Sequence, residues 1–70
     1  MTRDQAELIV KRIVVVGHML DELTLVVQGL PADDEDIKRD FRRGIGEAMS
    51  GMLNALLPAT AAYPDLQPYK

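Results

Sequence analysis

The sequence predicts an all-α fold: a two-helix antiparallel hairpin that dimerises into a four-helix bundle and trails an extended C-terminal tail. Three observations carry that expectation. Apolar residues recur at helical spacing in two long stretches, and the segment Gly29, Leu30, Pro31 separates them. The 70-residue chain also has more apolar surface than one hairpin can cover. The expected layout is a hairpin over residues 1–57, with helices at about 3–28 and 34–57 around a turn at 29–33, and a Pro-containing tail over 58–70.

The first helix has a readable start. Thr2 followed by Gln5 is a capping-box pattern, and Asp4 places negative charge in the first turn. Ala6, Ile9, Ile13, Val16, Leu20, Leu23 and Val27 then form a seam spaced alternately three and four apart, a heptad pattern of period about 3.5. The β-branched run Val14, Val15, Val16 favours a strand locally, but the seam continues on both sides of it. Gly29 reads as a left-handed cap, and Pro31 as a residue that cannot continue the helix.

The second helix announces itself with "PADDEDIKRDF". Asp33 is the expected N-cap, with Asp34, Glu35 and Asp36 at the positive end of the helix dipole. Ile37, Phe41, Ile45, Ala48 or Met49, Met52 and Leu56 continue at helical spacing, and Pro58 implies an end near Leu57. A connection this short makes the helices antiparallel neighbours.

Within that second helix, Gly44, Ala48, Gly51 and Ala55 fall on one stripe. Each helical glycine costs about 1 kcal/mol relative to alanine. A stripe of small residues offsets that cost by letting two backbones approach closely and gain dispersion contacts. A phosphate loop is the rival reading, but it needs G-x-G-x-x-G between a strand and a helix. Here the third position is Met49, and no strand precedes Phe41. Gly46 lies off the stripe and reads as a local bend.

Composition narrows the function classes. With no cysteine and a single histidine, His18, the chain offers neither disulfides nor a histidine- or cysteine-rich zinc site. A domain this small then needs a partner to complete its core. Leu8, Val10, Val14, Val15, Met19, Leu25 and Val26 widen the apolar arc of the first helix beyond its seam. A homodimer, the commonest closed assembly, would cover them. The interface residues expected on this basis are Ile9, Ile13, Val16, Leu20, Leu23, Val27, Phe41, Gly44, Ala48, Gly51, Met52 and Ala55.

The net charge of −3 weighs against a general nucleic-acid binder. Lys11, Arg12, His18, Asp21, Glu22 and Gln28 interrupt the apolar run from Leu8 to Leu30, so no membrane span is expected. The opening "MTRDQAEL" does not read as a signal peptide, and the expected location is cytoplasmic.

Candidate chemistry is sparse. His18, Asp21 and Glu22 are metal-ligand types, but bundle di-metal sites use Glu-x-x-His motifs aimed into the core. These three lie away from the seam and read as a solvated patch. Ser50 has no neighbouring base, and Glu47 stands without a second catalytic group, so no enzyme activity is expected. No cofactor is expected either. Lys38, Arg39, Arg42 and Arg43 form the positive cluster, with Asp34–Lys38 and Glu35–Arg39 spaced for ion pairing. Tyr63, Leu66 and Tyr69 alternate with Pro64 and Pro68, a pattern suited to a polyproline ligand or to an arm lying on its own bundle. Arg39, Arg42, Arg43, Tyr63, Leu66 and Tyr69 are therefore the candidate partner-binding residues.

In architecture alone, the capped hairpin with the acidic turn "ADDEDI" is similar to the repressor-of-primer type of RNA-binding dimer. That resemblance implies RNA contact along one face of paired helices. The corresponding face here mixes Lys11 and His18 with Glu7 and Asp21, and a shared fold does not carry function. The leading expectation is a non-enzymatic, homodimeric interaction protein. An accessory or chaperone-like subunit completing its core on a larger protein is the first alternative, and a small nucleic-acid-binding regulator the second.

Overall fold

A computed structural model describes residues 1–69. Helix α1 spans Arg3–Gln28 and helix α2 spans Glu35–Ala62. One-turn 3-10 helices at Ala32–Asp34 and Pro64–Leu66 flank α2. The all-helical hairpin read from the sequence is the observed architecture.

The start of α1 follows the capping box. Gln5 N donates to Thr2 Oγ1 at 3.2 Å, and Thr2 N donates to Gln5 Oε1 at 2.8 Å. Such a cap stabilises a helix by about 1 kcal/mol. Its end differs from expectation. Gly29 sits at φ −78°, ψ −3°, in the right-handed region, and its N–H reaches the carbonyls of Leu25 and Val26 at 3.2 Å each. The last turn tightens into shorter-range bonds, so no left-handed residue is required. Pro31, at φ −56° and ψ 151°, then redirects the chain.

The entry to α2 departs from the expected Asp33 cap. The 3-10 turn runs directly into the helix, and Asp34 N donates to Pro31 O at 3.0 Å. Backbone carbonyls thereby satisfy donors that a capping carboxylate would otherwise serve, and Asp34, which holds the cap position, makes no side-chain cap bond. The acidic first turn survives in Glu35 and Asp36.

The far end of α2 is a clearer correction. The helix continues through Pro58 to Ala62, so the tail begins at Tyr63 and not at residue 58. Proline removes one helical hydrogen bond and crowds the carbonyl four residues back. Two features offset this. Pro58 and Asn54 are both exposed, which leaves water access to the turn that loses a helical hydrogen bond. Its neighbours Leu56 and Ala59 are each only 2 % exposed, clustered with Ala6 and Val10 of α1.

Packing between the helices runs their full length. Ala6 and Val10 meet Leu56 and Ala59 at one end, with Ile13, Val14, Tyr63 and Leu66 packed around them. Gly17 meets Met52 in the middle, and Val27, Lys38 and Ile45 are buried toward the turn. The chain direction changes by 118° between the helices as taken across the break. An envelope of 49 × 19 × 15 Å nevertheless keeps two helices of about 40 Å side by side.

The side of α1 turned toward α2 is Ala6, Val10, Ile13, Gly17, Leu20, Thr24 and Val27. It shares Ala6, Ile13, Leu20 and Val27 with the expected seam but takes Val10, Gly17 and Thr24 in place of Ile9, Val16 and Leu23. Small side chains decide the rotation. A Cβ placed on Gly17 would stand 3.1 Å from Met52 Sδ and 3.0 Å from Tyr69 Oη. Gly17, absent from the sequence-based seam, is thus the glycine at the close approach.

Candidate interaction surfaces

The stripe Gly44, Ala48, Gly51, Ala55 is exposed along its whole length. A Cβ added at Gly44 or Gly51 would meet nothing within 4 Å. The stripe therefore does not bring α1 and α2 together, contrary to one reading of the glycines. Ile37 and Phe41 extend it toward the turn, half exposed, giving a row spaced four, three, four, three, four.

On α1, Ile9, Val16 and Leu23 are also exposed, with Met19 beside them at 62 %. Helical geometry of 3.6 residues per turn places these four about 90° from the side of α1 that meets α2. The same geometry places the α2 row about 80° from its own inner side, in the same rotational sense seen from each helix's N-terminus. Because the helices run in opposite directions, equal rotational sense puts both rows on one side of the hairpin. One broad face thus carries an apolar row from each helix. Leu8, Val15 and Val26 border it on the outer flank of α1, and Arg12 is the charged residue within it.

The opposite side is polar. Lys11, His18, Asp21, Glu35, Arg39, Arg42, Arg43 and Glu47 lie on it or at its edges, together with Gly46 and the exposed residues Leu25, Leu53 and Leu57. The positive cluster is partly neutralised here, with i, i+3 pairs in place of the expected i, i+4 pairs. Lys38 Nζ stands 3.5 Å from Glu35 and Arg39 is 3.6 Å from Asp36, each pair three residues apart, and Arg42, two turns on, is 3.9 Å from Glu35. Lys38 is itself buried, its stem packed along the helix pair with the ammonium at the rim.

The tail folds back on its own hairpin. Arg3 reaches across to Asp65 in a forked ion pair, its second contact at 3.3 Å, and its guanidinium lies 5.6 Å from the centre of the Tyr63 ring. The hydrogen bond and charge of Asp65, followed by Glu7, hold the Arg3 pKa above its ordinary value. Tyr63 and Leu66 are half-buried against the Ala6 cluster. Tyr69 continues along the groove between the helices, over Gly17 and Met52. Of the candidate partner-binding residues, the three tail residues thus contact the chain itself, and the three arginines sit apart from them.

That groove, with Asp21, Met49 and Leu53 completing its walls, encloses about 170 Å³. Small-molecule sites run from about 300 Å³ upward. Among the described residues no three His, Cys, Asp or Glu side chains gather in a metal-binding group. His18, Asp21 and Glu22 are all exposed. No single helix among the described residues is long and apolar enough to cross a membrane.

Compared with known proteins, the chain matches no family model, no curated sequence and no solved structure. The class it defines rests on its own geometry: an α-helical hairpin with one apolar and one polar side.

Proposed function

We propose that this chain is a non-enzymatic interaction protein whose working unit is a homodimer of hairpins. One observation carries the reading. Most of the large apolar residues that the hairpin leaves in water lie on or beside a single face built from both helices, with Leu25, Leu53 and Leu57 on the other side. Scattered exposed apolar residues need no explanation, whereas a contiguous patch marks a contact surface. Two hairpins apposed through such faces form a four-helix bundle, and the twofold dimer is the simplest closed assembly.

The size of the face supports this. Even the narrow dimension of a 49 × 15 Å envelope gives a flat footprint on the order of 700 Å², close to the ~800 Å² per partner of a standard stable interface. The tail leaves the face open, because it runs along the groove on the polar side. Sedimentation and native mass spectrometry of the full chain from nanomolar to high micromolar concentration test the proposal. A mass of two chains is expected. A chain that stays monomeric at micromolar concentration overturns it, and a stoichiometric larger protein recovered in place of a second copy supports the accessory-subunit reading.

A further inference from the structure

The apolar face is not uniform. Its α1 row is large (Val16, Met19, Leu23) and its α2 row is small (Gly44, Ala48, Gly51). The hairpin register set by Ala6 and Val10 against Ala59 and Leu56, and by Gly17 against Met52, extends along this face. Taken at the middle of those contacts, it puts Val16, Met19 and Leu23 within about half a turn of the levels of Gly51, Ala48 and Gly44. Each large side chain on one helix thus has a small one beside it on the other. The face carries a column of knobs next to a column of holes.

Building on the homodimer reading, we propose that a second copy covers this face through a twofold axis running parallel to the helices, so that α1 of each protomer lies over α2 of the other. Rotation about such an axis exchanges the two columns and preserves the level along the hairpin. Val16, Met19 and Leu23 then seat on the partner's Gly51, Ala48 and Gly44. Large meets small at these three levels, which lets both helix pairs pack at a common spacing in the usual range of about 8–10 Å. Every neighbouring pair of helices in the bundle is antiparallel.

The charged residue within the face fits this arrangement. Arg12 lies level with Ala55, so its stem crosses the partner's Ala55 while the guanidinium reaches the rim. The rival closed arrangement has its axis across the helices. It sets α1 on α1 and α2 on α2, large on large and small on small. The two helix pairs would then need different spacings at once, and the rigid hairpins would splay into a wedge with voids along the wider pair.

Because the chain has no cysteine, cross-linking reads the arrangement directly. Met19→Cys and Ala48→Cys are made singly, confirmed as dimers by native mass spectrometry, mixed through denaturant to exchange subunits, and oxidised. Disulfides form only between Cα atoms within about 7 Å. The mixture is expected to give at least about tenfold more covalent dimer than either variant alone, since facing pairs alone come within reach. Leu23→Cys with Gly44→Cys repeats the test if the first pair fails to dimerise. Self-cross-linking of each single variant, or intact dimers that cross-link in neither combination, overturns the proposed axis while leaving the homodimer standing. A monomeric mass for the unmodified chain overturns both.

Discussion

Two alanine substitutions, Gly46→Ala and Gly51→Ala, separate the two sides of the hairpin. In the single chain their surroundings are the same, since a Cβ at either position meets nothing within 4 Å. Intrahelical propensity alone then favours each substitution by about 1 kcal/mol. A gain of that size raises the melting temperature by roughly 4–8 °C in a domain this small. Gly46 is on the polar side, so its variant is expected to keep the whole gain at every protein concentration. Gly51 lies beneath the partner's Val16 in the proposed dimer, where an added methyl overpacks a fitted contact at a cost of about 1–3 kcal/mol.

The assay is thermal unfolding followed by far-ultraviolet circular dichroism across a hundredfold range of concentration, with dimer affinity measured in parallel. Gly46→Ala should shift every curve upward. Gly51→Ala should match that shift only under dilute, monomeric conditions, and should lose it as concentration rises. Its dimer should weaken about tenfold for each 1.4 kcal/mol of overpacking. Equal stabilisation by both variants at all concentrations, with unchanged dimer affinity, would refute the assignment of Gly51 to a contact.

Further outcomes follow from the hairpin itself. Leu56→Ala removes a side chain only 2 % exposed and should destabilise by about 2–5 kcal/mol, measured by urea unfolding. Thr2→Ala should cost about 1 kcal/mol and speed amide exchange in the first turn of α1 without altering α2. Pro58→Ala should stabilise α2 by up to about 3 kcal/mol, because it restores the bond to the Asn54 carbonyl. Asp65→Asn removes the charge facing Arg3. It should leave the helix melting curve in place while chymotrypsin cuts after Leu66 faster.

How much of this was legible in the sequence depended on how local the cause was. The capping box of Thr2 and Gln5 is a contact between residues three apart, and both of its hydrogen bonds form as read. The helix periods and the acidic start of α2 were equally local. Pro58 misled because its cost is local while its compensation, the burial of Leu56 and Ala59 against Ala6, comes from residues some fifty positions away in the chain. The rotation of α1 was ambiguous for a similar reason. Ile9, Val16 and Leu23 share a heptad frame with Ala6, Ile13, Leu20 and Val27, and so do Val10, Gly17 and Thr24. Only the fit of Met52 into the space at Gly17 selects between them. A glycine within an apolar heptad, read as a place of contact, was the one available signal. The tail's return onto the groove depends on Arg3 meeting Asp65, which no spacing rule within the tail reveals.

The placement of the two tyrosines has an optical consequence. The chain holds no tryptophan, and Tyr63 and Tyr69 are its only tyrosines. Both belong to the segment beyond α2, one beside a guanidinium and the other beside a thioether. Tyrosine emission from this protein therefore originates entirely in the arm, while the peptide-bond dichroism originates almost entirely in the two helices. The two signals divide the molecule along its structural boundary without any label. Heated or titrated together, they tell whether the arm lifts away ahead of the helices or leaves with them, and peeling the arm alone would change the emission while the helical signal stood still.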